Sequence, residues 1–287
     1  MNYIRYTVLL SFISLTAFTA SLSAAESVTP DLGLTVPSVS QAQIDTEKQA
    51  YQQTIKQAEG IQSAGHWYIG VGSGSGLPMG IGNSYNLPAG YINPPYTLPA
   101  DTYKPTFQRD QFLAEFQLGY RVAVNRTWLP ANSIGLNYLY GDGKTNGDIF
   151  ENGTLNDYTY QYAIYRDTFL LIDKVNLFQF HNISPFVQGG IGLSINSAAN
   201  YQETPDAGIN WPRNSMAFIN KTYEEFAYTI GAGVSYQFNQ NWMISAEYDY
   251  DDAGKIGLGS GPYGPGNGPS QILRSNDILV SGQYLFG

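Results

Sequence analysis

From Trp67 to the end, the chain repeatedly alternates large apolar residues with small or polar ones at every second position. A period of two marks strands whose two faces meet different surroundings. Eight segments show it: WYIGVGS (67–73), QFLAEFQLGYRV (111–122), SIGLNYLYG (133–141), TFLLIDKVNL (168–177), PFVQGGIGLSIN (185–196), EFAYTIGAGVSYQF (225–238), WMISAEYDYDD (242–252) and NDILVSGQYLF (276–286). Most approach the roughly nine to eleven residues that a tilted strand needs to cross a bilayer. The stretches between them, 74–110, 123–132, 142–167, 178–184, 197–224, 239–241 and 253–275, run long and short in strict turn. An even number of strands with short turns at one end and long loops at the other returns both termini to the short-turn side.

Alternation fits a soluble barrel with an apolar interior as well as a membrane barrel with an apolar exterior. The residue types separate them. In segment six, Phe226, Tyr228, Ile230, Val234, Tyr236 and Phe238 oppose Ala227, Thr229, Gly231, Gly233, Ser235 and Gln237. In segment five, Val187, Ile191, Leu193 and Ile195 oppose Gln188, Gly190, Gly192 and Ser194. Small residues suit the crowded interior of a narrow eight-stranded barrel and are out of place on a solvated exterior. Aromatic residues collect near segment ends, among them Trp67, Tyr138, Tyr140, Tyr236, Phe238, Trp242, Tyr248, Tyr250, Tyr284 and Phe286, as in interfacial girdles. The expected fold is all-β: an eight-stranded antiparallel up-and-down transmembrane β-barrel over 66–287. Its last strand pairs with its first to remove the sheet edges. On that last strand Ile278, Val280, Gly282, Tyr284 and Phe286 face lipid, while Asp277, Ser281 and Gln283 face the lumen. Segment four carries adjacent Asp173 and Lys174, so one charge faces out in either register. The expectation here is Leu170, Ile172 and Lys174 outward, with the lysine amine reaching the membrane boundary.

The first 25 residues carry one arginine, an apolar centre and small residues at the end, the pattern of a secretory signal peptide cut after Ala25, or after Ser23 or Ala24. Removing it takes the formal charge from −9 to −10, because the segment holds one Arg and no acid. A chain this acidic argues against nucleic acid as a partner. With no cysteine it can form neither a disulfide framework nor a thiolate metal site. Residues 26–65 form a periplasmic linker and helix. Ser40 to Gln43 has capping-box spacing, Gly60 ends the helix, and Ile44, Tyr51, Ile55 and Ala58 make a narrow apolar stripe between them. Such a helix docks on a partner or on the barrel mouth, or is a weakly docked leader.

Signal peptide, eight alternating strands and an aromatic-ended last strand together resemble the small outer-membrane β-barrels of Gram-negative bacteria, the OmpA, OmpX and opacity-protein class. The resemblance covers residues 66–287 and implies location in the cell outer membrane. It also implies insertion by the barrel-assembly machinery, which reads Ile278, Val280, Tyr284 and Phe286 on the last strand. Here Gly287 displaces the usual terminal aromatic by one residue. Members of this class are surface adhesins, structural proteins or resistance factors. The implied partners are outer-membrane lipids including lipopolysaccharide, and host or extracellular ligands held by the loops; a monomer is expected.

Polar residues expected in the lumen are Glu115, Gln117, Arg121, Glu247, Asp249, Asp251, Asp277 and Gln283. Two carboxylates can act as acid and base, but a dry lumen has to pair its charges, so Arg121 is expected to meet acids in a structural network. His66 and His181 fall at the short-turn end with no nucleophile close in sequence. GDGKT (141–145) lacks the leading glycine of a phosphate loop, because Tyr138 stands there. DGKTNGD (142–148) has partial calcium-loop phasing with Lys144 at a ligand position and Gly153 in place of the closing acid. No catalytic residue, metal or cofactor is expected. Loops 74–110 and 253–275 are rich in Gly, Pro and Tyr, which forbids regular structure and supplies rigid contact surfaces. The functional expectation is a non-catalytic surface barrel with a structural or adhesive role. A lipid A-modifying or hydrolytic barrel enzyme and a narrow channel stand as alternatives.

Overall fold

A computed structural model describes residues 65–79, 83–91, 97–98, 100–108, 110–126, 129–208, 218–261 and 268–287. The signal peptide, the linker and the helix at 41–59 lie outside the described residues. Eight long strands follow one another: β1 (His66–Pro78), β2 (Gln111–Arg126), β3 (Leu129–Glu151), β4 (Leu155–Asn176), β5 (Ile183–Pro205), β6 (Lys221–Gln237), β7 (Trp242–Gly257) and β8 (Ser270–Phe286). Each pairs antiparallel with its neighbour, and β8 pairs with β1 from Trp67↔Phe286 to Pro78↔Ser275, so the eight form a closed ring.

The register fixes the shape of that ring. A cross-strand row starting at Trp67 runs through Tyr120, Ile134, Asp173, Gly189, Ile230, Tyr250 and Asn276. It returns to β1 at Leu77, ten residues from where it began. With strands about 4.8 Å apart and about 3.3 Å per residue, a ten-residue offset over eight strands tilts them by about 40°. The climb from Trp67 to Leu77 is then about 25 Å, the height of an apolar membrane band. Within it, outward side chains such as Val71, Leu136, Leu193, Ile230, Tyr248 and Val280 are exposed. Trp67, Tyr236, Trp242, Tyr284 and Phe286 are exposed near its short-turn edge.

Inside, the small residues answer to specific large ones. Gly119 and Gly135 are cross-strand neighbours, and a Cβ on either would lie 2.5 Å from the Tyr68 hydroxyl. The two glycines leave room for that ring to cross the lumen.

The structure departs from expectation in segment four and in the stretches 142–167 and 74–110. Segment four has the opposite register: Leu170, Ile172 and Lys174 are buried inside, while Phe169, Leu171 and Asp173 face out. The lysine has a buried partner in Glu247 at 3.2 Å, which the outward placement would have left unpaired. The stretch 142–167 is no open loop, because β3 and β4 pair up to Glu151↔Leu155, with one register irregularity between Ile149 and Phe150, and turn through Asn152 (φ 51°) and Gly153 (φ 73°). GDGKT and DGKTNGD therefore lie on β3 in extended conformation, which excludes both a phosphate cradle and a calcium loop there. Loop 74–110 is also partly regular. Asp101–Gln108 pairs with β3 from Thr145 to Glu151, with a register irregularity between Pro105 and Phe107, and Tyr85–Leu87 pairs with Asp101–Tyr103. Proline tolerates such an edge or bulge position in a sheet.

Candidate functional site

Three levels of side chains fill the ring. Nearest the short turns, Tyr68, Met243 and Leu285 form an apolar cluster, and Arg121 Nη1 donates to Met243 Sδ at 3.0 Å. The middle level is polar. Lys174 Nζ lies 3.2 Å from Glu247 Oε2 and 4.1 Å from the centre of the Phe186 ring. Asn137 Nδ2 donates to Glu115 Oε1 at 2.5 Å, Gln188 Nε2 to Asp249 Oδ1 at 2.7 Å, and Gln283 Nε2 to Gln117 Oε1 at 2.5 Å. Above these, Arg166 is fully buried. Its Nη2 meets Asp277 Oδ2 at 2.7 Å and Asp251 Oδ2 at 3.8 Å, and its Nη1 donates to Ser275 Oγ at 3.1 Å.

The structure buries Glu115, Glu247, Asp249, Asp277 and Gln283, with Glu247 on Lys174, Asp277 on Arg166 and Gln283 on Gln117. It does not give the acids to Arg121; Lys174 and Arg166 take them. Arg166 lies within residues 142–167, whose glycine and polar composition is that of a loop. Continuing the two-residue count through Tyr160, Tyr162, Ile164, Arg166 and Thr168, all buried, would have found it.

The third level is an apolar core beyond the band. Tyr103, Ile149, Tyr158, Tyr160, Tyr162, Ile164, Phe218, Ile256 and Leu258 are its main members, with Tyr85 and Tyr201 packed against it. Ring contacts run from Phe218 to Tyr85, Tyr103 and Tyr201 at centroid distances of 5.8, 5.1 and 5.3 Å. The core joins the wall formed by β3, β4 and β5 to the strands of loop 74–110. It also includes the short pairing of Phe218–Ile219 with Gly259–Ser260. Burial raises the Tyr160 phenol above its ordinary range and pushes that of Tyr162 up to about 12. Tyr201 is raised by burial first and then by Tyr103 and Glu203.

What this arrangement can do is limited by access. A lumen cavity bordered by Tyr68, Gln117, Asn137, Ile172, Lys174 and Gln188 holds about 10 Å³, space for one water at most. His66 opens β1 opposite Arg121, and His181 sits exposed in the β4–β5 turn, edge-on to Phe180 at 4.4 Å. Among the described residues no group of three or more His, Asp or Glu side chains is arranged to hold a metal ion. Among the described residues, the raised wall offers a surface clear of the membrane band. From Asp142 to Glu151 it climbs on the order of 20 Å past the band. Its outer face carries Lys104 over the Phe150 ring at 4.1 Å, Gln161 donating to Gln202 at 3.0 Å, and at the tip the exposed side chain of Leu155.

No family model matches the sequence. The outer membrane protein PagN of Salmonella typhimurium is 27% identical over 116 residues, which cover 38% of this chain. That match spans 46% of PagN, so about half of the relative's length is represented. Among solved structures, OprG of Pseudomonas aeruginosa aligns over 78% of this chain and 97% of its own, at 14% identity and a TM-score of 0.42. The attachment invasion locus protein Ail of Yersinia pestis, solved with the heparin analogue sucrose octasulfate, aligns over 77% and 99%, at 14% identity and a TM-score of 0.31. With its closed ring, apolar band and likeness to PagN, the chain is a small β-barrel protein of the Gram-negative outer membrane.

Proposed function

We propose that this barrel is a non-catalytic surface adhesin that holds its raised wall outside the cell to contact a host or matrix ligand. The start of β1, the end of β8 and the short turns lie on the periplasmic side. The observation that carries the reading is the separate tyrosine-rich core of the extension. A loop that only shields the barrel mouth needs no core of its own raised beyond the membrane. A rigid wall, in contrast, presents its tip already ordered, so binding loses less conformational entropy. The lumen residues Glu115, Arg121, Glu247, Asp249, Asp277 and Gln283 serve structure, since they lie beneath that core with no room for substrate. The same filling opposes a channel.

Charge narrows the ligand. Among the described residues of the extension, Asp142, Asp148, Asp157 and Asp206 outnumber Lys104 and Lys144. A sulfated anion like the one on the Yersinia pestis protein would meet like charge here; a neutral or basic protein surface fits better. The barrel works as a monomer in lipopolysaccharide-containing lipid, and the assembly machinery inserts it by the outward face of β8. Cells expressing the protein are expected to bind host cells or matrix. Replacing residues 144–163 by a short turn lowers that binding at least tenfold without loss of outer-membrane abundance. The tip variant Leu155→Asp, which leaves the core intact, also lowers it. Unchanged adhesion in both variants would contradict the proposal.

A further inference from the structure

Strand β4 turns a carboxylate toward hydrocarbon at Asp173. The residue is exposed, and by the register it stands about 9 Å above the Trp67 girdle in a band about 25 Å tall. The outward side chains around it are Ile134, Leu136, Leu171, Val175, Val187 and Ile191, all apolar. Among the described residues none makes a hydrogen bond or an ion pair with it. Its cross-strand neighbour on β5 is Gly189, where an added Cβ would meet only the Thr229 carbonyl oxygen, at 3.8 Å. A notch therefore opens on the lipid side, directly beside the carboxylate.

A carboxylate facing lipid at this depth is costly, and its low-dielectric surroundings strengthen the pull on any cation that reaches it. Three sources of positive charge compete. Lipid ammonium groups sit at the girdle, so one would have to be drawn about 9 Å into the band. A second copy of the chain inserts in the same orientation. Its outward Arg274 stands on the order of 18 Å higher than Asp173 by the same geometry. A basic side chain on another membrane-embedded protein, in contrast, can be held at the depth of the carboxylate. Its aliphatic stem would lie on Ile134 and Leu171 and its charged end would fill the notch. We propose that Asp173 and the Gly189 notch bind a Lys or Arg on the membrane-facing surface of a different protein. The barrel stays a monomer toward its own copies, and the contact does not depend on which end of the ring faces the medium.

The test uses two synthetic spanning peptides of leucine and alanine, one with a single lysine about one third of the way along and one without. The barrel is refolded into phosphatidylcholine vesicles with a donor dye on a cysteine placed at Gln240, and the peptides carry the acceptor. The lysine peptide is expected to reach half-maximal energy transfer at a mole fraction about tenfold lower than its counterpart. Asp173→Asn removes that preference, and Gly189→Leu, which fills the notch, lowers it. Asp167→Asn, higher on the same face of β4, leaves it unchanged. Heat-modifiable gel migration of every variant shows that the ring is intact. Equal transfer from both peptides overturns the proposal, as does a preference that survives in Asp173→Asn. A preference abolished by phosphatidylethanolamine would assign the cation to lipid, and Asp173-dependent transfer between two labelled barrels would assign it to a second copy; either overturns it as well.

Discussion

Lys174 and Asp173 are adjacent on β4 and meet opposite surroundings. Lys174 is buried against Glu247 and the Phe186 ring, and Glu115 and Asp249 lie within electrostatic reach of the same lysine. Removing one partner of a buried pair leaves the other charge uncompensated, at a cost of about 3–5 kcal/mol. Lys174→Met should therefore lower the urea midpoint of the refolded barrel sharply, with unfolding followed by tryptophan fluorescence. The double variant Lys174→Met with Glu247→Leu should recover much of the loss, because it removes the stranded carboxylate as well. If the double variant were no more stable than the single one, Lys174 would be acting through packing on Phe186 instead. Asp173 has the harder place. By the register it lies about 9 Å above Trp67, inside the apolar band, with Gly189 as its cross-strand neighbour. The alternating pattern could not choose between these two residues, since each register exposes one charge. The choice depends on Glu247, on a strand far away in sequence.

At the scale of elements, the extension of β3, β4 and β5 beyond the band has its own response to pH. In an unfolded chain tyrosine ionises near about pH 10. Burial holds the Tyr160, Tyr162 and Tyr201 phenols protonated to higher pH, Tyr162 to about 12. Above about pH 10 the folded extension thus binds more protons than the unfolded chain. Its stability is fully present below that pH and falls as pH rises through the window up to about 12. Ultraviolet titration of phenolate absorbance should show a late fraction in the folded protein. Tyr162→Phe should reduce that fraction, and adding urea should abolish it. Uniform ionisation near pH 10 with the strands still folded would contradict a buried tyrosine core. The ring strands were legible in sequence because lipid on one side and a crowded lumen on the other enforce a strict alternation. The extension was not. There β4 is interrupted by a register shift between Gln161 and Ala163, its outer face is polar, and Gly143, Gly147 and Gly153 imitate loop composition. The continued run of buried Tyr158, Tyr160 and Tyr162 was the signal available.

For the whole molecule, three stacked levels divide the work. The apolar cluster of Tyr68, Met243 and Leu285 closes the short-turn end, the paired charges fill the middle, and the tyrosine core closes the other end while holding up the wall. On the proposed reading the barrel is a pedestal, and its function lies in what it raises above the membrane. That claim fixes which end faces the medium, and the absence of cysteine from the sequence makes it directly measurable. Single cysteines are placed at Gly153, at the tip of the β3–β4 hairpin, and at Gln240, in the β6–β7 turn. Intact cells are then treated with a membrane-impermeant maleimide. Rapid labelling of Gly153→Cys is expected on whole cells, and labelling of Gln240→Cys only after the outer membrane is permeabilised. Labelling of Gln240→Cys on intact cells, with Gly153→Cys protected, would place the wall in the periplasm and contradict that claim.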